Sequence, residues 1–532
     1  MIYSAAHNVC VYDTPIPERI LACVPMARQV DACHVAVPCK IDEMRRMVQL
    51  GYEAMSPILV DYDWPRDRSI APEPFPQQRA MAAFTTLYPR AFNLSDLRTG
   101  KPLATLWACD YLMRLGYIHK VLILSTLSTI VRVWENDIFR HFLGQRTAMV
   151  LYGSREQRLQ RLEQPADFYI LNHDGLTIGS KWVRKGKANE LVLGPLAEAI
   201  IAREDIDAVV TDEGTVYKDA GTTRYKVAKR VIAKKASYTH LTGTPTPNSP
   251  TDAYAQRKLL TSDWVMSETA FRDATMVKVS TFKWVPKATA SQTAADTLQP
   301  AIRFDRFSCL GTLPITPEVR DVELSPAQKK AYAEMKKYLQ SVTASGEKIT
   351  ALNEAGLRQK LVQIACGAVY GPNHEVHMVD AAPRLSVLHE LIVEAPHKIL
   401  IFAPLTSVVQ LLYRELSKHY SVEMVTGGVS SGKRNAIFKA FQEDVNPRII
   451  VADPRTMSHG LTMTAADTIV WYAPIDVPEP FTQANGRIEG SSQKDDLAIY
   501  CLAATPVERE AFRRLANKES LQGLILALVK GE

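Results

Sequence analysis

Runs of consecutive apolar residues alternate with helix-length stretches along most of this chain. In the first half the runs are KVLILST from Lys120, FYILN from Phe168, DAVVTD from Asp207 and YTHLTGT from Tyr238. They are apolar at successive positions instead of every second one, the pattern of strands covered on both faces in a parallel sheet. KILIFA from Lys398, VEMVTG from Val422, PRIIVAD from Pro447, DTIVWYA from Asp467 and LAIYCLA from Leu497 repeat the theme in the second half. The prediction is an α/β fold with two parallel-sheet lobes in tandem. A helix is expected from Lys101 to Leu115, stopped by Gly116.

Residues 1–70 precede the first lobe and read as a small accessory domain. The first lobe is expected over 71–264 and the second over 316–532. Between them, residues 265–315 mix basic, aromatic and small residues without a period and read as a linker with an insertion. A Lys-, Ala-, Glu- and Leu-rich stretch at about 325–363 reads as a helical insertion on the second lobe.

Composition changes this picture little. The chain has 532 residues, 46% hydrophobic and 23% charged, ordinary values for a globular protein. No apolar stretch approaches the roughly 18 residues that span a bilayer. MIYSAAHNVCVYD lacks the basic and apolar segments of a secretory signal, so the expected location is the cytoplasm, with no membrane partner. A net charge of +6 is compatible with a polyanionic partner but too small to argue for one. Cys33, His34 and Cys39, with His7 and Cys10 upstream, match no common zinc spacing, so the cysteines read as reduced thiols.

Chemistry concentrates at the ends of the predicted strands. VVTDEGT places Asp212 and Glu213 side by side where a core strand stops. There an aspartate can hold Mg²⁺ through water while the glutamate activates an attacking water, as a metal-bound nucleotide requires. LRTGKPLATLWA opens a helix with Thr99, Gly100 and Lys101, whose N–H groups and ammonium suit a phosphate; a bare TGK is also an ordinary helix start. Gln78, in PFPQQRA just upstream, can read adenine through its amide or serve as a polar helix start. HLTGTPTPN follows another strand. Two basic runs, KWVRKGK from Lys181 and YKVAKRVIAKK from Tyr225, are either solvated faces or contacts to a nucleic-acid backbone.

In this order the motifs resemble the superfamily 2 helicases, most closely the Swi/Snf-like DNA translocases, including compact bacteriophage-encoded members. The resemblance covers roughly residues 75 to 505. It implies two RecA-like lobes, ATP and Mg²⁺ as ligands, and motion along duplex, forked or single-stranded DNA driven by ATP hydrolysis. Gln78, Arg98, Thr99, Gly100, Lys101, Gly460 and Gln483 would then bind ATP, and Asp212 would hold Mg²⁺. Catalysis would fall to Lys101, Asp212, Glu213 and Arg487, and coupling to Thr242, Gly243, Thr244 and Pro245. Trp134, Asn248 and Thr464 would meet DNA. By the same resemblance the accessory domain would help to recognise DNA, replication or recombination proteins would be partners, and a phage-encoded chain would work in the host cytoplasm.

Several positions depart from that pattern. Arg98 stands where the usual loop has glycine, Pro102 where it has a hydroxyl for Mg²⁺, and Gly490 where the last motif has a second arginine; Ser492 replaces a glycine. The family's proline near Thr126 is absent. These departures keep a second expectation open, a weakened helicase-fold protein that clamps DNA or a partner with reduced ATP turnover.

Overall fold

The computed structural model describes residues 1–530 except 68–72, 186–187, 262, 281–282, 311–314, 345–350, 371–374, 458–462 and 489–496. The chain divides into two compact units, Met1–Cys309 with Gln522–Glu532, and Leu310–Leu521.

The first unit is built on a seven-stranded sheet in the spatial order Ala301–Ile302, Arg90–Asn93, Ser237–Leu241, Ile206–Thr211, Lys120–Ser125, Phe168–Asn172, Ala148–Val150. All its pairings are parallel. The central strands lie where the apolar runs predict, and Val121, Leu122, Ile123 and Leu124 are fully buried. Helix Lys101–Arg114 begins after Gly100 and ends before Gly116, both at positive φ. Trp107 on this helix joins Trp134, Phe142 and Phe168 in one core. Ahead of this sheet lies a separate four-stranded antiparallel sheet formed by Ile2–Ser4, Val9–Asp13, Arg28–Gln29 and His34–Pro38. It packs with helix Ile41–Gln49 around Cys10, Val35, Val37, Met44 and Met47.

The aperiodic segment 265–315 contains helices Glu268–Thr275 and Ala290–Thr297, the hairpin Met276–Ser280 with Lys283–Pro286, and the edge strand Ala301–Ile302. These elements are too short for a period to emerge, and the edge strand has only two residues.

The second unit holds a six-stranded sheet in the order Glu318–Asp321, Ala498–Ala503, Ala466–Trp471, Lys398–Phe402, Ile449–Ala452, Val422–Val425. It too is parallel throughout. The predicted helical stretch becomes helices Pro326–Ala344 and Ala351–Cys366. One buried ion pair fastens this unit. Arg384 and Glu508 have no exposed surface and meet at 2.7 Å. The guanidinium also donates to the carbonyls of Ala365, Tyr472 and Leu502. The second Glu508 oxygen accepts from the N–H groups of Ala504 and Thr505.

A guanidinium stripped of its partner in such a place is left uncompensated. Glu508→Ala is therefore predicted to cost about 3–5 kcal/mol. Asp321→Ala breaks only the exposed pair with Arg509 and should cost less than about 1 kcal/mol. Urea denaturation of both variants checks this; equal losses would show that the buried pair does not fasten the unit.

Candidate nucleotide site

Parallel sheets present loops at the carboxyl ends of their strands, and the sequence motifs of the first unit gather there. The strand Arg90–Asn93 runs into the loop 94–100, which opens helix Lys101–Arg114. Lys101 is buried. Its ammonium donates to the carbonyls of Ser95 at 2.6 Å and Asp96 at 2.8 Å. Burial lowers its pKa, opposed by the negative charges of Glu213, Asp212 and Asp96. The lysine and the acidic pair thus share one electrostatic neighbourhood. A desolvated ammonium at the start of a long helix is well suited to take a phosphate.

Gly100 brings Gln78 to this loop. A Cβ at Gly100, whose φ is +86°, would lie 2.2 Å from the Gln78 amide nitrogen. Gln78 Oε1 accepts the Phe75 N–H at 3.0 Å, so this side chain also caps helix Pro76–Leu87. The helix-start role and the place beside the loop therefore coexist. Arg98 has φ +66°, a conformation that favours glycine and costs other residues roughly 1–2 kcal/mol. The Thr99 hydroxyl donates to the Asp96 carbonyl at 2.8 Å.

The loop is braced by residues to which sequence reasoning gave no role. Arg303 donates to the Leu94 carbonyl and to Asp96, and the Phe304 N–H donates to Ser95 Oγ. The Asp96 N–H returns a bond to the Phe304 carbonyl. The pairing of Ala301–Ile302 with the strand Arg90–Asn93 continues into these contacts. A basic residue just after an apolar pair was the only signal, and it is a weak one.

Asp212 follows the strand Ile206–Thr211 and is 7% exposed. Its Oδ2 accepts the Ser125 hydroxyl at 3.0 Å and the Trp134 indole N–H at 2.9 Å. Its Oδ1 accepts the Glu213 N–H at 3.1 Å, which leaves a lone pair there for a metal-bound water. The residues present therefore fit Mg²⁺. Trp134, expected at DNA, is fully buried in a π-helical turn, Ile130–Glu135, and its indole N–H is spent on Asp212. A side chain with no exposed surface offers nothing to DNA in this conformation. Behind Asp212, His173 Nε2 meets the Asp212 carbonyl at 2.9 Å, and its Nδ1 meets the Tyr217 hydroxyl at 2.9 Å. Glu213 adopts a left-handed conformation, φ +51°. Strain of this kind persists only where the surroundings enforce it. Gly214, next to it, carries the ring of His240 so closely that a Cβ would lie 2.4 Å from it.

The acidic turn is hydrogen-bonded to the turn after the strand Ser237–Leu241. The Thr215 hydroxyl donates to the Thr244 carbonyl at 2.8 Å and meets the Thr242 hydroxyl at 2.6 Å, while the Thr244 N–H donates to Thr242 Oγ at 3.1 Å. With Thr215 donating to the carbonyl, Thr242 must donate to Thr215, so each hydroxyl has a defined direction. Below this chain, His240 Nδ1 accepts from Tyr238, and its Nε2 donates to Gln256 Oε1. Gln256 Nε2 donates in turn to the Pro245 carbonyl at 2.6 Å. A Cβ on Gly243 would lie 3.4 Å from the Ser95 carbonyl, so this turn also abuts the loop before Lys101. Asn248 is exposed, and its N–H donates to Asp252.

In the second unit Arg487 follows helix Pro478–Asn485 and is 6% exposed. Its carbonyl accepts the Met463 N–H at 3.0 Å, which ties the arginine segment to the Thr464 segment. Thr464 Oγ accepts from Gln442 at 3.0 Å, and Gln483 lies buried on the same helix, with Nε2 3.4 Å from Glu479. Gly460, Gly490 and Ser492 lie outside the described residues.

Burial lowers the His240 pKa to about 3. A group depressed in the folded state stabilises the fold above its unfolded pKa of about 6.5, and that contribution is lost as pH falls toward 3. Unfolding free energy should therefore fall more steeply between pH 6.5 and 3 in the native protein than in His240→Gln, as followed by urea titrations. Parallel curves would show that His240 takes up no proton on unfolding.

Residues 40–367 match the SNF2-related domain, and residues 383–489 match the helicase conserved C-terminal domain. The chain is similar to the ATP-dependent DNA helicase DDM1 of Arabidopsis thaliana, 24% identical over 466 residues, covering 80% of this chain and 58% of that protein. It resembles the lymphoid-specific helicase of Homo sapiens at 28% identity over 133 residues, 24% of this chain and 16% of that protein. Among solved structures, the Sulfolobus solfataricus SWI2/SNF2 ATPase core in complex with dsDNA is similar at 18% identity and a TM-score of 0.37, covering 85% of this chain and 93% of that one. The chain spans 58% of the length of the first of these curated relatives and less of the second. No helix among the described residues is long and apolar enough to cross a membrane. With the first of the two domain models matching more than half of its length, the chain belongs to the SNF2-related family of helicase-like ATPases.

Proposed function

We propose that this protein hydrolyses ATP in response to DNA and uses the cycle to move along it. One observation carries the reading: the buried Lys101 ammonium lies in the field of the Asp212–Glu213 turn, which Thr215 hydrogen-bonds to the Thr242–Pro245 turn at the strand ends of the first unit. Lys101 and the loop N–H groups would hold the phosphates, and Gln78 would meet the base. Asp212, fixed by Ser125, Trp134 and Glu213, would present Oδ1 to Mg²⁺ through water. When bound, Mg²⁺ neutralises charge building on the phosphates. Glu213 would accept a proton from the attacking water, and Arg487 would stabilise the transferred phosphoryl group. Asn248 and Thr464 would contact the DNA backbone. Membership of the family supports DNA as the track, and the motif resemblance alone supports a bacteriophage-encoded relative working with replication or recombination proteins in the host cytoplasm. DNA recognition by residues 1–70 rests on the same resemblance.

Pro102 favours a second reading, a protein that binds ATP and DNA with little turnover, because it leaves the helix start without a hydroxyl for the metal. The two readings separate in one assay, ATP hydrolysis with and without duplex, forked and single-stranded DNA. Glu213→Gln should lower the DNA-stimulated rate by about 10²–10⁴-fold, the usual worth of a general base, and Lys101→Ala should abolish nucleotide binding. A native rate no higher than that of Glu213→Gln would reject the motor and leave the clamp.

A further inference from the structure

The two basic runs of the sequence come together away from the residues assigned above. Residues Lys181–Lys185 and Ala188–Val192 form an antiparallel hairpin, inserted between the strand Phe168–Asn172 and helix Pro195–Ala202. The hairpin lies along helix Thr223–Ile232. Trp182 Nε1 donates to Thr223 Oγ at 3.1 Å, Lys226 Nζ sits 4.7 Å from the Trp182 ring centre, and Arg230 donates to the Leu191 carbonyl at 2.7 Å. Between the two elements runs a groove lined by Trp182, Asn189, Leu191, Lys226, Lys229 and Arg230. Glu190 is the one carboxylate on its rim.

The charge of this groove is not balanced locally. Asp174 is occupied by Arg224. Among the described residues, Lys181, Arg184, Lys226, Lys229 and Arg230 form no ion pair. Trp182 is 44% exposed although it is large and apolar, and Lys181 and Arg184 on the same strand are exposed as well. Lys226 gains a cation–π contact with the indole, whereas the other cations pair with no carboxylate among the described residues and together attract a polyanion.

We propose that this groove binds the phosphate backbone of duplex DNA as an anchor that needs no nucleotide. Lys226 and Arg230 are four residues apart on the helix, about 6 Å along its axis, close to two of the roughly 3.4 Å steps at which phosphates recur along one strand. A groove walled by a hairpin and a helix suits a cylindrical backbone better than a flat anionic surface. Asn189 adds a sequence-independent hydrogen-bonding group for phosphate or sugar, and the indole an apolar face for the deoxyribose edge. The choice of DNA as probe rests on the function proposed above. The anchor itself is independent of hydrolysis, because none of its residues touches the nucleotide site.

The test measures binding of a fluorescent 40-base-pair duplex to the full chain without ATP, from about 50 to 300 mM salt. Each phosphate contact contributes about 0.9 to the slope of log affinity against log salt. The triple variant Lys226→Ala, Lys229→Ala, Arg230→Ala should bind at least about tenfold more weakly at 100 mM salt, with its slope reduced by about 2–3. Lys226→Arg with Lys229→Arg should keep both values, and ATP hydrolysis without DNA should be unchanged in all variants. If thermal melting shows the triple variant misfolded, Arg184→Glu on the exposed hairpin carries the same test. Unchanged affinity and slope would overturn the proposal, as would weaker binding of polyglutamate with duplex binding intact. A native hydrolysis rate no higher than that of Glu213→Gln, with duplex binding retained, would reject the motor alone, so the two failures are distinguishable.

Discussion

A carboxylate withdrawn from water must find hydrogen-bond donors, and Asp212 finds them on three separate elements. Ser125 ends one strand, Trp134 lies in the turn beyond it, and Glu213 supplies its own main chain. Burying an ion without such partners costs several kcal/mol, so the position of this one group constrains everything around it. The indole must point inward, which the π-helical turn achieves. The chain must then turn sharply, which forces Glu213 into a left-handed conformation. His240 occupies the space beside Gly214. The acidic pair is thus held from behind as firmly as a core residue.

That rigidity gives Thr215 its significance. Its hydroxyl spans the gap between the acidic turn and the Thr-Gly-Thr-Pro turn, accepting from the Thr242 hydroxyl and donating to the Thr244 carbonyl. A displacement of one turn therefore strains the two hydrogen bonds that Thr215 makes to the other. The loop before Lys101, braced by Arg303 and Phe304, abuts the second turn at Gly243.

Much of this was legible in the sequence because parallel α/β folds advertise themselves. Apolar runs such as VLIL and FYIL can only be covered on both faces, and the residues just past them, Asp212 and Thr242 among them, must lie at a common edge. Lys101 could be read as a helix start, but not that its ammonium rests on two carbonyls, since main-chain acceptors leave no sequence mark. Trp134 was misleading for a physical reason: the motif resemblance alone placed it at DNA, and nothing local reveals that its N–H is needed by a carboxylate 78 residues away. Arg303 was hidden in an aperiodic stretch whose elements are too short to show a period. The basic hairpin and helix were visible as two charged runs, yet their union depends on tertiary packing alone.

The assembly stands or falls on whether the Thr215 hydroxyl transmits between the two turns. Thr215→Val removes that hydroxyl and keeps the shape, so Mg²⁺-ATP affinity and the DNA-free hydrolysis rate should stay within about twofold of native values while stimulation by duplex DNA disappears. Stimulation equal to that of the native protein, in a folded variant, would contradict the claim that the acidic turn and the Thr-Gly-Thr-Pro turn act as one unit.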